Sequence, residues 1–286
     1  MVERKRPQQR RERKPRNEVP EIKVEWKPVT LLGKMVKEGK ITDINEIFNQ
    51  SNPIMESEIV DTLLPDLEDD LLLIGQAKGK FGGGQRRIFR QTQKKTREGN
   101  KIQFMTCAVV GNKNGYVGVA TGKSKETVPA RNKSRRKARL NLMRIRRGSG
   151  SWESGSNDEP NSIPFAVEGK CGSVRLKLMP APRGKGLCIE KECAKILSLA
   201  GIKDIWSKTE GQTKTKLNLI EALVDALRKL SEVKIQSKDV SRLSIVEGAF
   251  KEAETRPIEA VPEPVVPEAV IEPVTENKVE EVSETS

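Results

Sequence analysis

IQFMTCAVVGNKNGYVGVATGKSKETVPARNKSRRKARLNLMR, residues 102–144, changes its hydrophobic rhythm once. From Ile102 to Ala120, β-branched and aromatic residues run up to and away from Asn112-Lys113-Asn114-Gly115, which can supply the left-handed backbone of a tight turn. From Ser124 the spacing lengthens to four. Ala130, Ser134, Ala138 and Leu142 then share one face of a helix expected to start at Ser124 as N-cap and to run to about Arg144. Lys125, Arg131, Lys133, Arg135, Arg136, Lys137 and Arg139 fill its other faces. Pro129 falls in the first turns, where a missing N–H costs least.

Working outward, residues 88–93 supply a third strand, turned back at Glu98-Gly99-Asn100, so that 88–93, 102–110 and 116–120 form a meander with Ile88, Ile102 and Phe104 in its core. Upstream, Thr42 is placed to cap a turn burying Ile44, Ile47 and Phe48, and Pro65 stops a helical segment bearing Ile59, Leu63 and Leu64. The order α-β-β-β-α with a basic second helix resembles a double-stranded-RNA-binding domain, a fold that reads A-form shape and phosphates rather than sequence. The acidic stretch 56–70 reads as solvated surface, with a partner surface as the alternative. Gly79, Gly82, Gly83 and Gly84 lack the Gly-Lys-Ser/Thr ending of a phosphate loop and read as a flexible joint.

Beyond a Gly, Ser, Asn and Pro linker, residues 165–167 and the alternation 174–178 predict two strands, followed by a loop at 179–186. A helix over about 187–200 buries Ile189, Cys193, Ile196 and Leu197, with Gly201 as its left-handed stop. A short strand at 204–208 and a helix over 214–230 burying Leu217, Ile220, Leu223, Val224 and Leu227 complete a two-layer α/β unit; residues 243–250 could extend a further helix. The fold class is therefore α+β, divided as a disordered basic arm (1–28), a double-stranded-RNA-binding-like domain (29–145), a linker (146–162), a C-terminal α/β domain (163–234) and a largely disordered Pro/Glu/Val tail (235–286).

Charge narrows the function. Between Gln76 and Arg147 lie 21 Lys or Arg against Glu98 and Glu126 alone. Residues 251–286 hold ten Glu against Lys251, Arg256 and Lys278, so of the overall +13 the first 250 residues carry +20. Such an excess draws phosphate backbones by counterion release. Aromatic residues make up only 3% of the chain, too few for a base-stacking platform, so duplex or folded RNA is the expected partner rather than a naked strand. With no His and four Cys (Cys107, Cys171, Cys188, Cys193) lacking ligand spacing, no metal, no cofactor and no disulfide is expected. No apolar run reaches the ~18 residues of a membrane span, so the chain is expected to be cytoplasmic, without a membrane partner. Arg183-Gly184-Lys185-Gly186 could imitate a small-molecule kinase's phosphate loop, but no paired carboxylates or nucleophile and base accompany it, so no catalytic residues and no enzyme are expected.

KITDI (40–44), EIVDTLLPDL (58–67), VVGNKNGYVG (109–118), GSWE (150–153), IPFAVEGK (163–170), PAPRGKG (180–186) and AGIKDIW (200–206) occur in the order seen in one family. Over about residues 34–230 the chain resembles small-subunit ribosomal protein five in its archaeal and eukaryotic-like form. The resemblance implies a structural constituent of the small subunit that binds rRNA, aids assembly, neighbours small-subunit ribosomal proteins four and eight, and meets mRNA where it enters the subunit, with an influence on translational accuracy. It implies a left-handed βαβ crossover in the second domain. Relatives often carry Cys and His just after the Gly-Ser-Trp-Glu segment, whereas residues 153–162 have neither. The expected RNA contacts are Lys94, Lys95, Arg97 and Lys101 on the hairpin, Lys113, Lys123, Lys125, Arg131, Lys133 and Arg136 on the next turn and helix, and Arg183 and Lys185 on the later loop.

Overall fold

The computed structural model describes residues 26–76, 86–152 and 160–249. Most of the basic arm, the glycine joint at 79–84, part of the linker and the tail from 250 lie outside the described residues. Three short helices come first: α1 (Leu31–Lys37), α2 (Ile44–Asn49) and α3 (Ser57–Leu63). Val36, Ile41, Ile47 and Ile59 form their core. Glu56 bolts the start of α1 to α3 by accepting from the N–H groups of Thr30 (2.7 Å) and Val29 (3.0 Å) and from Trp26 Nε1 (2.8 Å). Those donors, the Thr30 N–H foremost, hold its carboxyl below the usual range. Asp43, not Thr42, occupies the N-cap of α2, and Thr42 is exposed.

The first sheet joins β1 (Glu68–Leu71), β2 (Phe89–Thr96), β3 (Gly99–Gly111), β4 (Tyr116–Ser124) and, beyond α4 (Thr127–Leu140), β5 (Leu142–Arg144). The expected meander is present. One edge of β3 serves two strands: β2 pairs with residues 99–106 and β1 with 108–111, while β4 takes the other edge from Phe104 to Gly111. Alternation then divides β3 by face, with Ala108 and Val110 under α4 and Cys107 and Val109 in the large core on the far side. Within the acidic stretch read as solvated, α3 and β1 are formed. Ser124 does not cap the helix; it ends β4 opposite Phe104, and α4 begins at Thr127 behind Glu126. Leu142 is buried as expected, but in β5: residues 142–144 leave the helix at Asn141 to pair with Tyr116–Gly118.

Small residues set how closely α4 approaches. A Cβ at Gly118 would overlap the Ala138 carbonyl, and one at Gly122 would overlap Ala130 O and Ser134 N. Into this seam Thr106 Oγ1 donates toward Ala130 O (2.9 Å) and Ser134 Oγ (3.1 Å), and Ser134 Oγ donates to Arg131 O (2.7 Å), so the buried hydroxyls are satisfied. Ala130, Ser134 and Ala138 are the buried stripe the sequence indicated.

The second sheet has the order β7-β8-β10-β9, from β7 (Val167–Cys171), β8 (Val174–Pro180), β9 (Leu187–Cys188) and β10 (Ile205–Glu210). The expected helix over 187–200 is shorter: Leu187–Cys188 pair in parallel with Ile205–Trp206, and α5 (Lys191–Leu199) starts behind Glu190, whose carboxylate accepts from the N–H groups of Glu192 and Cys193. Gly201 has φ +83° and ends it as expected. In α6 (Lys216–Glu232), Ile220, Leu223 and Leu227 are buried, but Leu217 and Val224 are only half-buried; Leu219, Ala226 and Leu230 complete the inner stripe.

The two halves share one core. Leu72, Cys107, Val109 and Val117 of the first sheet sit in the same cluster as Val174, Leu176, Ile196 and Leu223 of the second. Buried Glu192 reaches across from α5 to accept from Leu73 N (2.9 Å). Where they are described, the residues expected as linker belong to this framework: β6 (Arg146–Arg147) pairs with β11 (Val246–Glu247), Gly148 bridges Ser162, and Ser162 is fully buried. After α7 (Ser237–Arg242), residues 246–249 therefore return to the fold rather than extend a helix. Arg147, 5% exposed, holds that return, donating to Asn114 Oδ1 (2.7 Å) and Gly248 O (3.0 Å).

Candidate nucleic-acid interface

Strand β4 stops at Ser124, opposite Phe104, while β2 and β3 continue together to a turn at Arg97-Glu98. Residues 99–103 and their partners therefore project past the sheet as a two-stranded ribbon about 17 Å long at ~3.3 Å per residue. Gly99, at φ +113°, makes the turn, and Thr96 Oγ1 donates to Gly99 O (2.8 Å). The ribbon is solvated: Gln93, Lys94, Lys95 and residues 97–103 are all exposed. Ile102, expected in the core, is 41% exposed for this reason, and burial begins at Phe104, which packs edge-on against Phe89 at 5.5 Å.

Lys94 lies directly across the ladder from Lys101. Like charges in that register are destabilising. Only Glu98, 3.0 Å from Lys101, answers them, while Lys94, Lys95 and Arg97 form no ion pair among the described residues. Lys123, paired in register with Met105, and Lys125 stand where the ribbon leaves the sheet. Both are exposed, as is Lys133 on α4.

The later turns of α4 differ. Arg135 Nε lies 2.5 Å from Asp69, Arg139 Nε 2.7 Å from Asp61, and Arg136 3.9 Å from Glu58. The acidic stretch 58–69 thus lies along the basic helix. Arg131 and Arg135 are half-buried at its edge, and Arg131 Nε is buried without a hydrogen-bond partner among the described residues.

Of the twelve sequence-nominated residues, nine are thus brought to the ribbon, the β4 end and α4: Lys94, Lys95, Arg97, Lys101, Lys123, Lys125, Arg131, Lys133 and Arg136. Lys113 is not among them. It sits at the opposite end of β3, with φ +57°, its amine on Glu68 and its N–H on Leu199 O (2.8 Å). Arg183 and Lys185 are exposed in the β8–β9 loop, tied through Gly186 N to Asp204 Oδ1 (2.6 Å). Exposed Lys137 and Arg90 were not nominated, though the charge run contains both.

Two of the four thiols are inert. Burial pushes Cys107 and Cys193 up to about 12, with nearby carboxylates adding to it, so both remain protonated. No three His, Cys, Asp or Glu converge among the described residues, and no helix there is long and apolar enough to cross a membrane.

Comparison with known proteins gives a consistent result across the chain. The family described as Ribosomal protein S5, N-terminal domain, matches residues 88–146, and Ribosomal protein S5, C-terminal domain, matches 169–242. The chain is similar to Small ribosomal subunit protein uS5 of Nanoarchaeum equitans, with 47% identity over 226 residues covering 79% of this chain and 96% of that one. Against the protein of the same name from Methanocaldococcus jannaschii the identity is 44% over 224 residues, covering 78% and 96%.

Proposed function

The chain belongs to the ribosomal protein S5 family in its archaeal form, and from that premise we propose that it binds small-subunit rRNA chiefly through the β2–β3 ribbon and the start of α4. It is a structural, non-enzymatic constituent of the small ribosomal subunit, associated there with ribosomal RNA and other ribosomal proteins. The observation that carries the RNA face is the ladder pair Lys94 and Lys101 on a ribbon that is exposed among the described residues. A self-repelling arrangement at an exposed tip costs folding stability and contributes when a polyanion neutralises it.

In this reading residues 29–145 act as a double-stranded-RNA-binding-like domain and 163–234 as a second domain, whose β9-α5-β10 unit is the left-handed crossover of the family. The element order through β2, β3, β4 and α4, and the parallel β9–β10 pair, support it. Lys113, Arg183 and Lys185 then serve a separate contact from the ribbon. Neighbourhood with small-subunit ribosomal proteins four and eight, contact with mRNA where it enters the subunit, a part in assembly and an influence on accuracy rest on family resemblance.

Changing Lys94, Lys95, Arg97 and Lys101 together to Gln tests the reading. Binding to small-subunit rRNA should weaken, and the log–log salt slope should flatten by about 0.9 for each duplex phosphate that is no longer neutralised. On a sucrose gradient the unaltered protein should travel with small subunits and the variant should be depleted from them. An unchanged slope with normal incorporation would make the ribbon ordinary surface.

A further inference from the structure

A second concentration of unanswered charge lies apart from the ribbon tip, where the base of β2 meets the start of α6. A cleft of about 910 Å³ is lined there by Arg86, Arg87, Arg90, Lys214, Thr215 and Lys216, together with apolar and Gln side chains and no carboxylate. Lys216 is already neutralised by Glu190 at 2.6 Å. Arg86, Arg87, Arg90 and Lys214 make no ion pair among the described residues. Four cations thus line one cleft with no counter-charge among the described residues.

The backbone adds to the same field. Helix α6 has 17 residues, its Thr215 side chain makes no cap bond, and its first turn holds no acid. The first intrahelical bond is Leu219 N to Thr215 O, so the N–H groups of 216–218 have no partner within the helix. An uncapped helix start carries a fractional positive charge and free donors, the arrangement that takes phosphate. Helix α5 contrasts with it, because the Glu190 carboxylate already occupies that role at its own start.

We propose that this cleft is a phosphate site, occupied by the backbone of an RNA strand at the junction between the β2 base and α6. The proposal rests on the RNA-binding reading above and extends it to a surface that neither half of the chain forms alone. The site would fix the orientation of the second sheet on the RNA while the ribbon grips elsewhere.

Three variants of the full chain test it against small-subunit rRNA across a salt series. Changing Arg86, Arg87 and Arg90 to Gln should flatten the log–log slope by about 0.9 for each phosphate released, which is about eightfold in affinity per phosphate at 0.1 M salt. The effect should add to that of the ribbon variant. Thr215→Asp places a carboxylate where the phosphate would sit and is itself a good cap, so its melt should stay level or rise while RNA binding falls. If both cleft variants keep the parent slope while the ribbon variant loses it, the cleft assignment is wrong and the ribbon reading stands. Absence of salt-dependent RNA binding in the parent would defeat both. Titration with pyrophosphate separates the sources: binding that Thr215→Asp abolishes, without any change in the RNA slope, would make the occupant a small free phosphate and overturn the RNA assignment.

Discussion

Lysine and arginine crowd both the β2–β3 ribbon and helix α4, but the chain's carboxylates treat the two differently. Asp61, Asp69 and Glu58 lie along α4 and answer Arg139, Arg135 and Arg136. On the ribbon, among the described residues, only Glu98 faces four cations. The inner sides differ as well: α4 rests on Gly118, Gly122 and Thr106 with no space to spare, whereas the ribbon beyond Phe104 has no inner side. Charge on α4 is therefore partly structural, and charge on the ribbon is available to something outside the molecule. Counting basic residues does not distinguish these cases; finding their partners does.

The sharpest way to break this contrast is to fill the seam. Gly118→Val puts a branched side chain into the Ala138 carbonyl, and overpacking of that kind should cost about 3 kcal/mol, read as a lowered denaturant midpoint. Thr106→Val keeps the shape but removes a donor to Ala130 and Ser134, so a loss of about 1 kcal/mol is expected in the same assay. Arg135→Gln removes a partly exposed ion pair with Asp69. Its effect should stay below about 1 kcal/mol and shrink further in high salt. The fourfold ribbon change should leave the melt level or raise it slightly, because those side chains touch solvent and the Lys94–Lys101 repulsion is removed. A ribbon variant that melts as low as the Thr106 variant would show that the ribbon is structural and erase the distinction.

Much of this was legible beforehand. Alternation in 102–120 and the turns at Gly99 and Gly115 gave the meander, and the four-residue stripe gave α4 its buried face. Other elements were hidden because tertiary pairing decides them. Glu68-Asp69-Asp70-Leu71 has the composition of solvated loop; it is a strand because the Ala108–Gly111 edge of β3 lies open beside it. Leu142 continues the helical stripe in sequence, and only pairing with Tyr116–Gly118 makes it strand. Leu187–Cys188 likewise depend on Ile205–Trp206, residues met later in the chain. At the candidate site, single-charge reasoning picks out the ribbon and Lys113 alike, since a sequence does not show that Glu68 waits opposite Lys113. The α6 cleft left no local motif, as its cations come from positions more than 120 residues apart.

Strand β3 is 13 residues long, about 40 Å at ~3.3 Å per residue, and it runs unbroken from the charged tip to Gly111, where Leu199 of α5 presses against it. Mechanically this is a rod gripped from Gly111 to Phe104 and free only over its last ~17 Å. A tilt of about 5° where the grip ends displaces the tip by about 1.5 Å, half the length of a hydrogen bond. Precision at the tip is thus set by the packed half of the same strand, from the glycine that lets α5 close upon it to the seam beneath α4.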